Sequence, residues 1–478
     1  MSAVTSKLVP TIGLETHVQL NTKTKIWCGC AVKSDAPPNT LVCPVCLGYP
    51  GSLPVLNREA VKKTVMTGLL LGCEIGKVSK HDRKSYFYPD MPKNYQITQY
   101  DQPLCIGGGI EIEVNGEKRF IRINRIHLEE DVGKSTHLRG ASGIDYNRAG
   151  TPLMEIVTEP DLHNEDEAFA YLTALKRILQ YGGVSDCNLE EGNIRCDINV
   201  SVAEAGSEVL GVKAEIKNMN TFRGVHRALA YEVRRQIKAV GAGEKLIQET
   251  RRWDDEQGVT RSMRTKEDAH DYRYFPDPDL ARIRLTDAEI EGWRAELPEL
   301  PAKRQARFVS EYGLPEYDAG VLVADKGIAD YFEAAAGDNP KAAANWVMTE
   351  VMRVLSEEDL EIGAFPVPAA GLGDLIALVD QGTLNSTKAK EVFGVMLKEG
   401  GDPAEIVKAR GLAQVSDTGA IESFVNEVID ENGKVVEDYL NGKDSALQFL
   451  MGQVMKKSRG KANPPMVLDL LKQKLAKP

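Results

Sequence analysis

The sequence predicts an α+β protein with a β-rich N-terminal domain over residues 1–296, a helical domain over 297–410 and a small helical tail domain over 411–478. Before residue 296, apolar and polar residues alternate as they do in strands, and after it apolar residues recur at helical spacing. Clusters of proline and glycine separate these parts. A length of 478 residues suits about three domains, and 42% hydrophobic residues can fill their cores, which excludes a small disulfide scaffold and a disordered chain.

Three segments of the first domain alternate strictly enough to be predicted as strands. Each strand should bury one face and present polar side chains on the other. The acidic residues and the histidine that share these polar faces are Glu15 and His17 within residues 12–20, Asp197 within 194–202, and Glu215 within 212–217.

Helical periodicity begins after the prolines at Pro298 and Pro301. The stripes that predict helices are Trp346, Val347, Val351 and Val354 in the second domain, and Ile421, Phe424, Val425 and Val428, then Leu447, Leu450, Met451 and Val454, in the third. Ser416 and Asp417 are possible caps of the first tail helix, and residues 460–465 should end one helix and begin another.

Four cysteines form two close pairs, Cys28 with Cys30 and Cys43 with Cys46. Two such pairs supply the four sulfur ligands of a closed, tetrahedral zinc site, which is structural because no position is left for a substrate. Disulfides are the competing interpretation, which a reducing compartment disfavours. We interpret the other four cysteines as small core residues.

Carboxylates recur beside histidines in the first domain, a pattern that suits a hard divalent ion such as magnesium. The groups are Glu15 with His17, His127 with Glu129, Glu130 and Asp131, and then Glu155 and Glu159. Cations suited to phosphate lie in the same domain, among them Arg148 and Lys217. Taken singly, each acidic residue is better explained as a solvated surface group, and only their recurrence on polar strand faces favours metal binding. The common glycine-rich phosphate loop is absent, because Leu128 stands where the pattern before Lys134 needs glycine.

Charge is distributed unevenly along the chain. The net charge is -11, which excludes a globally basic nucleic-acid coat protein. Residues 451–478 nevertheless contain seven basic residues and one aspartate, a net charge of +6 that leaves -17 for the remainder. Such a tail either contacts a polyanion or forms a solubilising helix face. The absence of a signal peptide and of a long apolar run predicts a cytosolic protein.

The sequence resembles the GatB/GatE family, the B subunits of the tRNA-dependent amidotransferases, along its full length. The segments that carry the resemblance are Gly13–Leu20, Arg83–Lys93, His127–Asp131, Asp145–Val157, Glu215–Asn220 and Asp271–Leu280. The resemblance implies a cradle-shaped catalytic domain, a helical domain and a tail domain related to the YqeY proteins.

The resemblance also implies a function, in a heterotrimer with two partners, the A subunit, which is a glutaminase, and the C subunit. The chain would use ATP to phosphorylate the side-chain carboxylate of Glu-tRNA(Gln), and in many members of the family that of Asp-tRNA(Asn). Ammonia channelled from the glutaminase would then displace the phosphate. Since the chain lacks the serine and lysine relay of an amidase, the glutaminase is expected to be a separate polypeptide.

Site residues follow from the resemblance position by position. Magnesium ligands fall on His17, Glu129 and Glu155, and polar residues that line the ammonia route and reaction chamber fall on Glu15, Asp197 and Glu215. These last three are equally explained as solvated carboxylates with no part in proton transfer. Other site residues are expected from their own chemistry: Arg148 and Lys217 at the cofactor, the four cysteines at zinc, and the basic tail residues Lys456, Lys457, Arg459 and Lys461 at the tRNA.

A second hypothesis is a noncatalytic, zinc-containing scaffold that only presents tRNA to another enzyme. The acidic faces argue against it, because a protein that merely binds RNA gains nothing by directing carboxylates at a polyanion, whereas phosphoryl transfer needs metal ligands.

Overall fold

The computed structural model describes residues 8–189, 191–265, 271–413, 418–458, 462 and 464–475. The chain forms two compact units, Met1–Leu300 and Pro301–Pro478. The first is rich in strands and the second is helical, which confirms the α+β fold class. The division into three domains stays a prediction.

In the described part of the chain, the strands all lie in the first unit, together with four helices. The strands are β1 (Leu8–Gln19), β2 (Glu74–Ile75), β3 (Val78–Ser79), β4 (Asp82–Ser85), β5 (Tyr95–Thr98), β6 (Cys105–Ile106), β7 (Gly109–Val114), β8 (Glu117–Glu130), β9 (Lys134–Leu138), β10 (Ala141–Asp145), β11 (Pro152–Thr158), β12 (Ile194–Glu204), β13 (Ala214–Lys217), β14 (Glu249–Asp254), β15 (Val259–Thr265), β16 (Phe275–Pro276) and β17 (Ile283–Arg284). The helices are α1 (Arg58–Leu70), α2 (Glu165–Tyr181), α3 (Phe222–Gly241) and α4 (Asp287–Ala295).

Ten of these strands form one large sheet. Its order is β15-β14-β13-β12-β1-β11-β8-β6-β2, and β7 also pairs with β8. Every pairing in it is antiparallel except that of β13 with β14. The smaller sheets are β9 with β10, β4 between β5 and β16, and β3 with β17. Strand β1 therefore lies in the middle of the large sheet, between β11 and β12.

Strand β1 separates an apolar face from a polar one. Ile12, Leu14 and Val18 are fully buried, whereas Glu15 and His17 are half-buried on the other face. Helix α3 packs on β12 and β15, and α1 packs on β8, so helices cover the apolar side of the sheet. The alternation predicted from the sequence is thus confirmed in β1 and over residues 194–200 of β12, whereas Ser201, which the pattern places on the polar face, is buried.

The third predicted strand is shorter than its pattern suggested. Strand β13 begins at Ala214, which pairs with Val200, so Val212 lies before the strand and is 42% exposed. Glu215 and Lys217 still share the half-buried face, since they alternate with buried Ala214 and Ile216.

Local sequence explains where the two long helices of the first unit begin. The side chain of Asn164 accepts a hydrogen bond of 2.8 Å from the backbone N–H of Glu167, and that of Thr221 accepts one of 2.9 Å from Gly224. These contacts satisfy backbone donors that a helix start leaves free.

The second unit is entirely helical in its described part. Its helices are α5 (Pro301–Tyr312), α6 (Glu316–Leu322), α7 (Lys326–Ala335), α8 (Pro340–Trp346), α9 (Met352–Glu357), α10 (Ala369–Asp380), α11 (Ser386–Glu399), α12 (Pro403–Arg410), α13 (Thr418–Glu431), α14 (Gly433–Leu440), α15 (Ser445–Lys457) and α16 (Pro464–Leu475). A π-helical turn, Val347–Val351, joins α8 to α9, and a 3-10 turn occupies Ile362–Ala364.

Two separate hydrophobic clusters stabilise this unit, one between Phe308 and Leu412 and one between Ile421 and Leu475. The predicted stripes lie on helices, and all their members except Val354 belong to or pack against these clusters. The predicted caps Ser416 and Asp417 lie outside the described residues, as do residues 460, 461 and 463 of the predicted break. Helix α15 ends at Lys457 and α16 begins at Pro464, which confirms that one helix ends and another begins there. Among the described helices, none is long and apolar enough to cross a membrane.

Candidate active site

Three strands bring His17, Glu129 and Glu155 together on the polar face of the large sheet. His17 of β1 pairs with Glu155 of β11, which in turn pairs with His127 of β8. Nε2 of His17 lies 3.6 Å from Oε2 of Glu155 and 3.9 Å from Oε1 of Glu129. The three side chains predicted as magnesium ligands are therefore neighbours in space, although they are far apart in the sequence.

A second imidazole borders the same carboxylates. Nε2 of His127 lies 3.2 Å from Oε2 of Glu155 and 3.7 Å from Oε2 of Glu129. Burial lowers the pKa of His127, but the two carboxylates outweigh it and raise that pKa to about 9. Burial raises the pKa of Glu155, but the charges of His127 and His17 outweigh this effect and bring the pKa below its ordinary value.

The side chains of His17, Glu129 and Glu155 fit a hard divalent ion. Ligands bound at about 2.1 Å in an octahedron lie about 3 to 4 Å apart, and the distances from Nε2 of His17 fall in that range. One ligand atom from each residue lies within 4.8 Å of the others. His17 and Glu155 are only half-buried, so the cluster is not sealed from solvent.

A buried carboxylate at the end of β8 orders the neighbouring side chains. Oδ2 of Asp131 accepts hydrogen bonds of 2.7 Å from Gln19 and from Arg195. Arg148 lies 3.7 Å from this oxygen and donates Nε to the carbonyl of Val132 at 2.9 Å. Burial raises the pKa of Asp131, but the charges of Arg195 and Arg148 keep it below its ordinary value.

The predicted cofactor residue Lys217 lies between two of the predicted chamber carboxylates. Its Nζ contacts Oδ2 of Asp197 and lies 2.9 Å from Oε1 of Glu215. Burial lowers the pKa of Lys217, but Asp197 and Glu215 raise it above its ordinary value. Glu15 pairs in register with Asp197 and accepts a hydrogen bond of 2.8 Å from Asn199. Five polar side chains thus continue the polar face across β1, β12 and β13.

The four cysteines of the two pairs form one cluster in which each sulfur lies within 4.8 Å of the others. The sulfurs of Cys43 and Cys46 are 3.9 Å apart. Four sulfurs at about 2.3 Å from a tetrahedral zinc ion are about 3.8 Å from one another, whereas a disulfide holds its sulfurs at about 2.0 Å. The cluster is therefore arranged to bind a metal ion, and its four cysteines are free.

Hydrogen bonds favour a thiolate at Cys46. A bond from the Cys28 thiol lowers the pKa of Cys46 to about 4, with further lowering by the backbone N–H of Cys43 and the charge of Lys25. The same contact, together with burial, raises the pKa of Cys28. Thiolates are the form in which cysteine binds metals. The other four cysteines, Cys73, Cys105, Cys187 and Cys196, are buried, as expected for core residues.

The basic residues of the tail differ in what they contact. Lys456 is exposed, whereas Nζ of Lys457 lies 2.7 Å from carboxylate oxygens of both Glu427 and Glu431. Arg459 and Lys461 lie outside the described residues. Within the tail helices, Lys457 is thus ion-paired with two carboxylates of the same chain.

Sequence reasoning misses several polar residues that border the acidic cluster. From the sequence, His127 is identified only as a neighbour of Glu129 along the chain. The signal that could have placed it at the cluster is the spacing of two residues, which puts His127 and Glu129 on the same face of a strand. Thr98, which donates a hydrogen bond of 3.2 Å to Glu129, and Arg195 belong to strands whose pairing no local pattern reveals.

Comparisons with known proteins agree with this architecture. Residues 10–291 match the family model of the GatB/GatE catalytic domain, and residues 330–475 match that of the GatB domain. Three relatives are named as the B subunit of aspartyl/glutamyl-tRNA(Asn/Gln) amidotransferase. The protein of Caldicellulosiruptor bescii is 52% identical over 473 residues, 98% of each chain, and that of Thermoanaerobacter sp. strain X514 is 52% identical over 469 residues, 98% of this chain and 99% of the relative. That of Trichlorobacter lovleyi is 53% identical over 470 residues, again 98% and 99%. The chain belongs to the GatB/GatE family.

Proposed function

We propose that this chain is the B subunit of an ATP-dependent tRNA amidotransferase that converts Glu-tRNA(Gln) to Gln-tRNA(Gln) and Asp-tRNA(Asn) to Asn-tRNA(Asn). The observation that carries the proposal is the convergence of His17, Glu129 and Glu155 on one sheet face, in a chain whose relatives are named for this activity. Because the proposed substrates are aminoacyl-tRNAs used in translation, we expect the reaction to take place in the cytoplasm.

The proposed reaction has two steps at the polar face. A carboxylate is a poor electrophile, so the γ-phosphoryl group of ATP is transferred to the side chain of the esterified amino acid, which yields an acyl phosphate and ADP. Ammonia then attacks the acyl carbon, and phosphate leaves. Magnesium, when bound, neutralises charge on the transferring phosphoryl group. His17, Glu129 and Glu155 would hold it.

Cations and carboxylates around this cluster have distinct proposed roles. Arg148 and Lys217 would contact the nucleotide, and Lys217 is held in place by Asp197 and Glu215. Glu15, Asp197 and Glu215 would line the route by which ammonia enters, since they extend the acidic face away from His17. A carboxylate in that position can accept the proton that an ammonium ion loses before it attacks.

The cysteine cluster, the partner subunits and the tail domain have further proposed roles. Cys28, Cys30, Cys43 and Cys46 would bind a structural zinc ion, because four protein ligands complete a tetrahedral site. The glutaminase, or A subunit, would deliver ammonia from glutamine, and the C subunit would complete the heterotrimer. The tail domain over residues 411–478 would bind the tRNA through phosphate contacts from Lys456, Lys457, Arg459 and Lys461.

One experiment separates this proposal from a noncatalytic scaffold. In the assembled complex, His17→Ala should abolish ATP hydrolysis stimulated by Glu-tRNA(Gln), while tRNA binding persists. The matched control is His137→Ala, since His137 is exposed on β9. If His17→Ala leaves the stimulated hydrolysis unchanged, the metal assignment is wrong and the scaffold hypothesis is favoured.

A further inference from the structure

Lys25 is a fully buried lysine beside the four-cysteine cluster. Its exposed fraction is 1%, which makes it one of the largest fully buried side chains in the described part of the molecule. An ammonium group removed from water needs strong partners to offset its lost hydration. Its backbone N–H donates to the carbonyl of Cys30 at 2.9 Å, so the residue is anchored within the cysteine loop.

The ammonium group of Lys25 has two hydrogen-bond partners among the described residues. Nζ lies 3.5 Å from Sγ of Cys46 and 3.2 Å from the carbonyl oxygen of Tyr146. Glu130 is close by, but its carboxylate binds Nζ of Lys93 at 2.6 Å. Lys25 is therefore directed at a sulfur and a carbonyl. A neutral thiol is a weak acceptor, whereas a metal-bound thiolate is a good one.

Tyr146 begins the loop 146–151, which joins β10 to β11 and contacts both the segment beside the cysteine cluster and the acidic end of β8. The backbone N–H of Gly150 donates to the carbonyl of Asp131 at 2.9 Å, and the carbonyl of Gly150 accepts from Ile26 at 2.8 Å. Gly150 has a φ of +82°, and a Cβ there would stand 3.7 Å from both Cys46 and Lys25. The loop is thus hydrogen-bonded both to Ile26, next to Lys25, and to Asp131, at the strand end that carries Glu129.

We propose that Lys25 is a positioning residue that joins the four-cysteine metal centre to the loop 146–151. Its ammonium group offsets the net negative charge of four thiolates on one zinc ion, and the same group fixes the carbonyl of Tyr146. Loss of the metal then makes the loop 146–151 more mobile, and loss of the Lys25 ammonium group weakens the binding of the metal. The inference rests on the proposed zinc centre.

The first test is the rate at which the full-length, zinc-loaded chain transfers its metal to a chromogenic chelator. Lys25→Met removes the charge and keeps the length of the side chain, and it should release zinc about ten- to a hundredfold faster, as is typical when the partner of a metal ligand is lost. The matched control is Lys23→Met, which removes an exposed lysine two residues away and should leave the rate unchanged.

A second measurement distinguishes this role from a merely structural one. In the cobalt-substituted protein, Lys25→Met should move the thiolate-to-metal charge-transfer band to longer wavelength, because a sulfur that loses a hydrogen-bond donor gives up electrons more easily. Hydrogen exchange at residues 146–151 should also accelerate, in Lys25→Met and in zinc-free wild type alike. Should Lys25→Met fail to fold, Lys25→Gln keeps a donor without the charge and should give an intermediate release rate.

The possible failures are distinguishable. Wild-type protein that contains no zinc overturns the zinc centre and this inference together. Wild-type protein that holds zinc, with an unchanged release rate in the folded Lys25 variant, overturns the inference alone. Faster release without faster exchange at 146–151 overturns the link to the loop.

Discussion

Nε2 of His127 lies 3.2 Å from Oε2 of Glu155, the same oxygen that lies 3.6 Å from Nε2 of His17. One carboxylate oxygen is thus shared between a half-exposed imidazole and a buried one. A buried partner of a metal ligand fixes the orientation of that ligand. His127→Gln should therefore raise the magnesium concentration needed for half-maximal ATP hydrolysis about tenfold. Magnesium titrations of the assembled complex measure this.

The surface variant His137→Gln controls for the loss of a histidine, because His137 is exposed. It should leave the magnesium requirement at the wild-type value. An unchanged requirement in His127→Gln would show that the second imidazole does not orient the ligands.

Glu155→Gln tests the chemistry independently of the ammonia supply. The amide keeps the shape of the side chain but loses its charge, so it should lower amide formation at least a hundredfold, whether glutamine or free ammonium is the donor. Product formation on Glu-tRNA(Gln) is the measurement. Glu113→Gln, which changes an exposed glutamate on β7, is the control. Full activity of Glu155→Gln with ammonium would contradict the assignment.

Lys456 and Lys457 make a matched pair for tRNA binding, because only the second is bridged to Glu427 and Glu431. Lys456→Ala should weaken binding and reduce the slope of log affinity against log salt by about 1. Lys457→Ala should change that slope less. Binding isotherms at several salt concentrations measure both, and equal effects would show that the ion pairs break when tRNA binds.

Removal of a single cysteine tests the metal centre. Cys46→Ser should lose the bound zinc and lower the melting temperature of the first unit, because a metal held by the cluster would join residues 28–30 to 43–46. Cys73→Ala, a change at a buried cysteine outside the cluster, should keep one zinc per chain. Metal analysis and thermal unfolding measure the two effects. A zinc-loaded Cys46→Ser protein would exclude Cys46 as a ligand.

His81 makes the stability of the first unit depend on pH. It is 2% exposed and its ring lies 5.0 Å from that of Trp27. Burial lowers its pKa to about 4, although Asp277 and Asp82 act in the opposite direction. Between pH 6.5 and pH 4 the unfolded chain binds a proton that the folded chain does not, so stability falls as the pH falls. This loss should reach about 2 kcal/mol at pH 5.

The comparison with His81→Leu isolates that contribution. The variant should lose less stability between pH 7 and pH 5 than the wild type does, as measured by denaturant unfolding at each pH. His137→Gln should keep the wild-type dependence. Identical slopes in His81→Leu and wild type would mean that other groups control the acid sensitivity.

The faces of the central strands can be predicted from the sequence alone. Alternation with a period of two places Glu15 and His17 on one face, and it holds because β1 is apolar on the side that the core covers. The spacing of Cys28, Cys30, Cys43 and Cys46 predicts their cluster for a similar reason, since short loops keep each pair close.

Long-range pairing cannot be predicted from local patterns. Glu155 meets His17 only because β11 lies beside β1, a choice that depends on the packing of the whole sheet. From the sequence, the family resemblance, and not periodicity, predicts that His17 and Glu155 lie at one site. Likewise, the partners of Lys457 belong to another helix, so the charge of the tail overstates what remains free to bind RNA.

The alternation of β1 also constrains how this protein can evolve. Because successive side chains point to opposite sides, one inserted residue before Leu14 would turn Glu15 and His17 into the core and expose Leu14 and Val18. Neighbours on both flanks would lose their partners at the same time, since β1 is hydrogen-bonded to β11 and to β12. Natural variants should therefore tolerate substitutions in this strand far more readily than changes in its length.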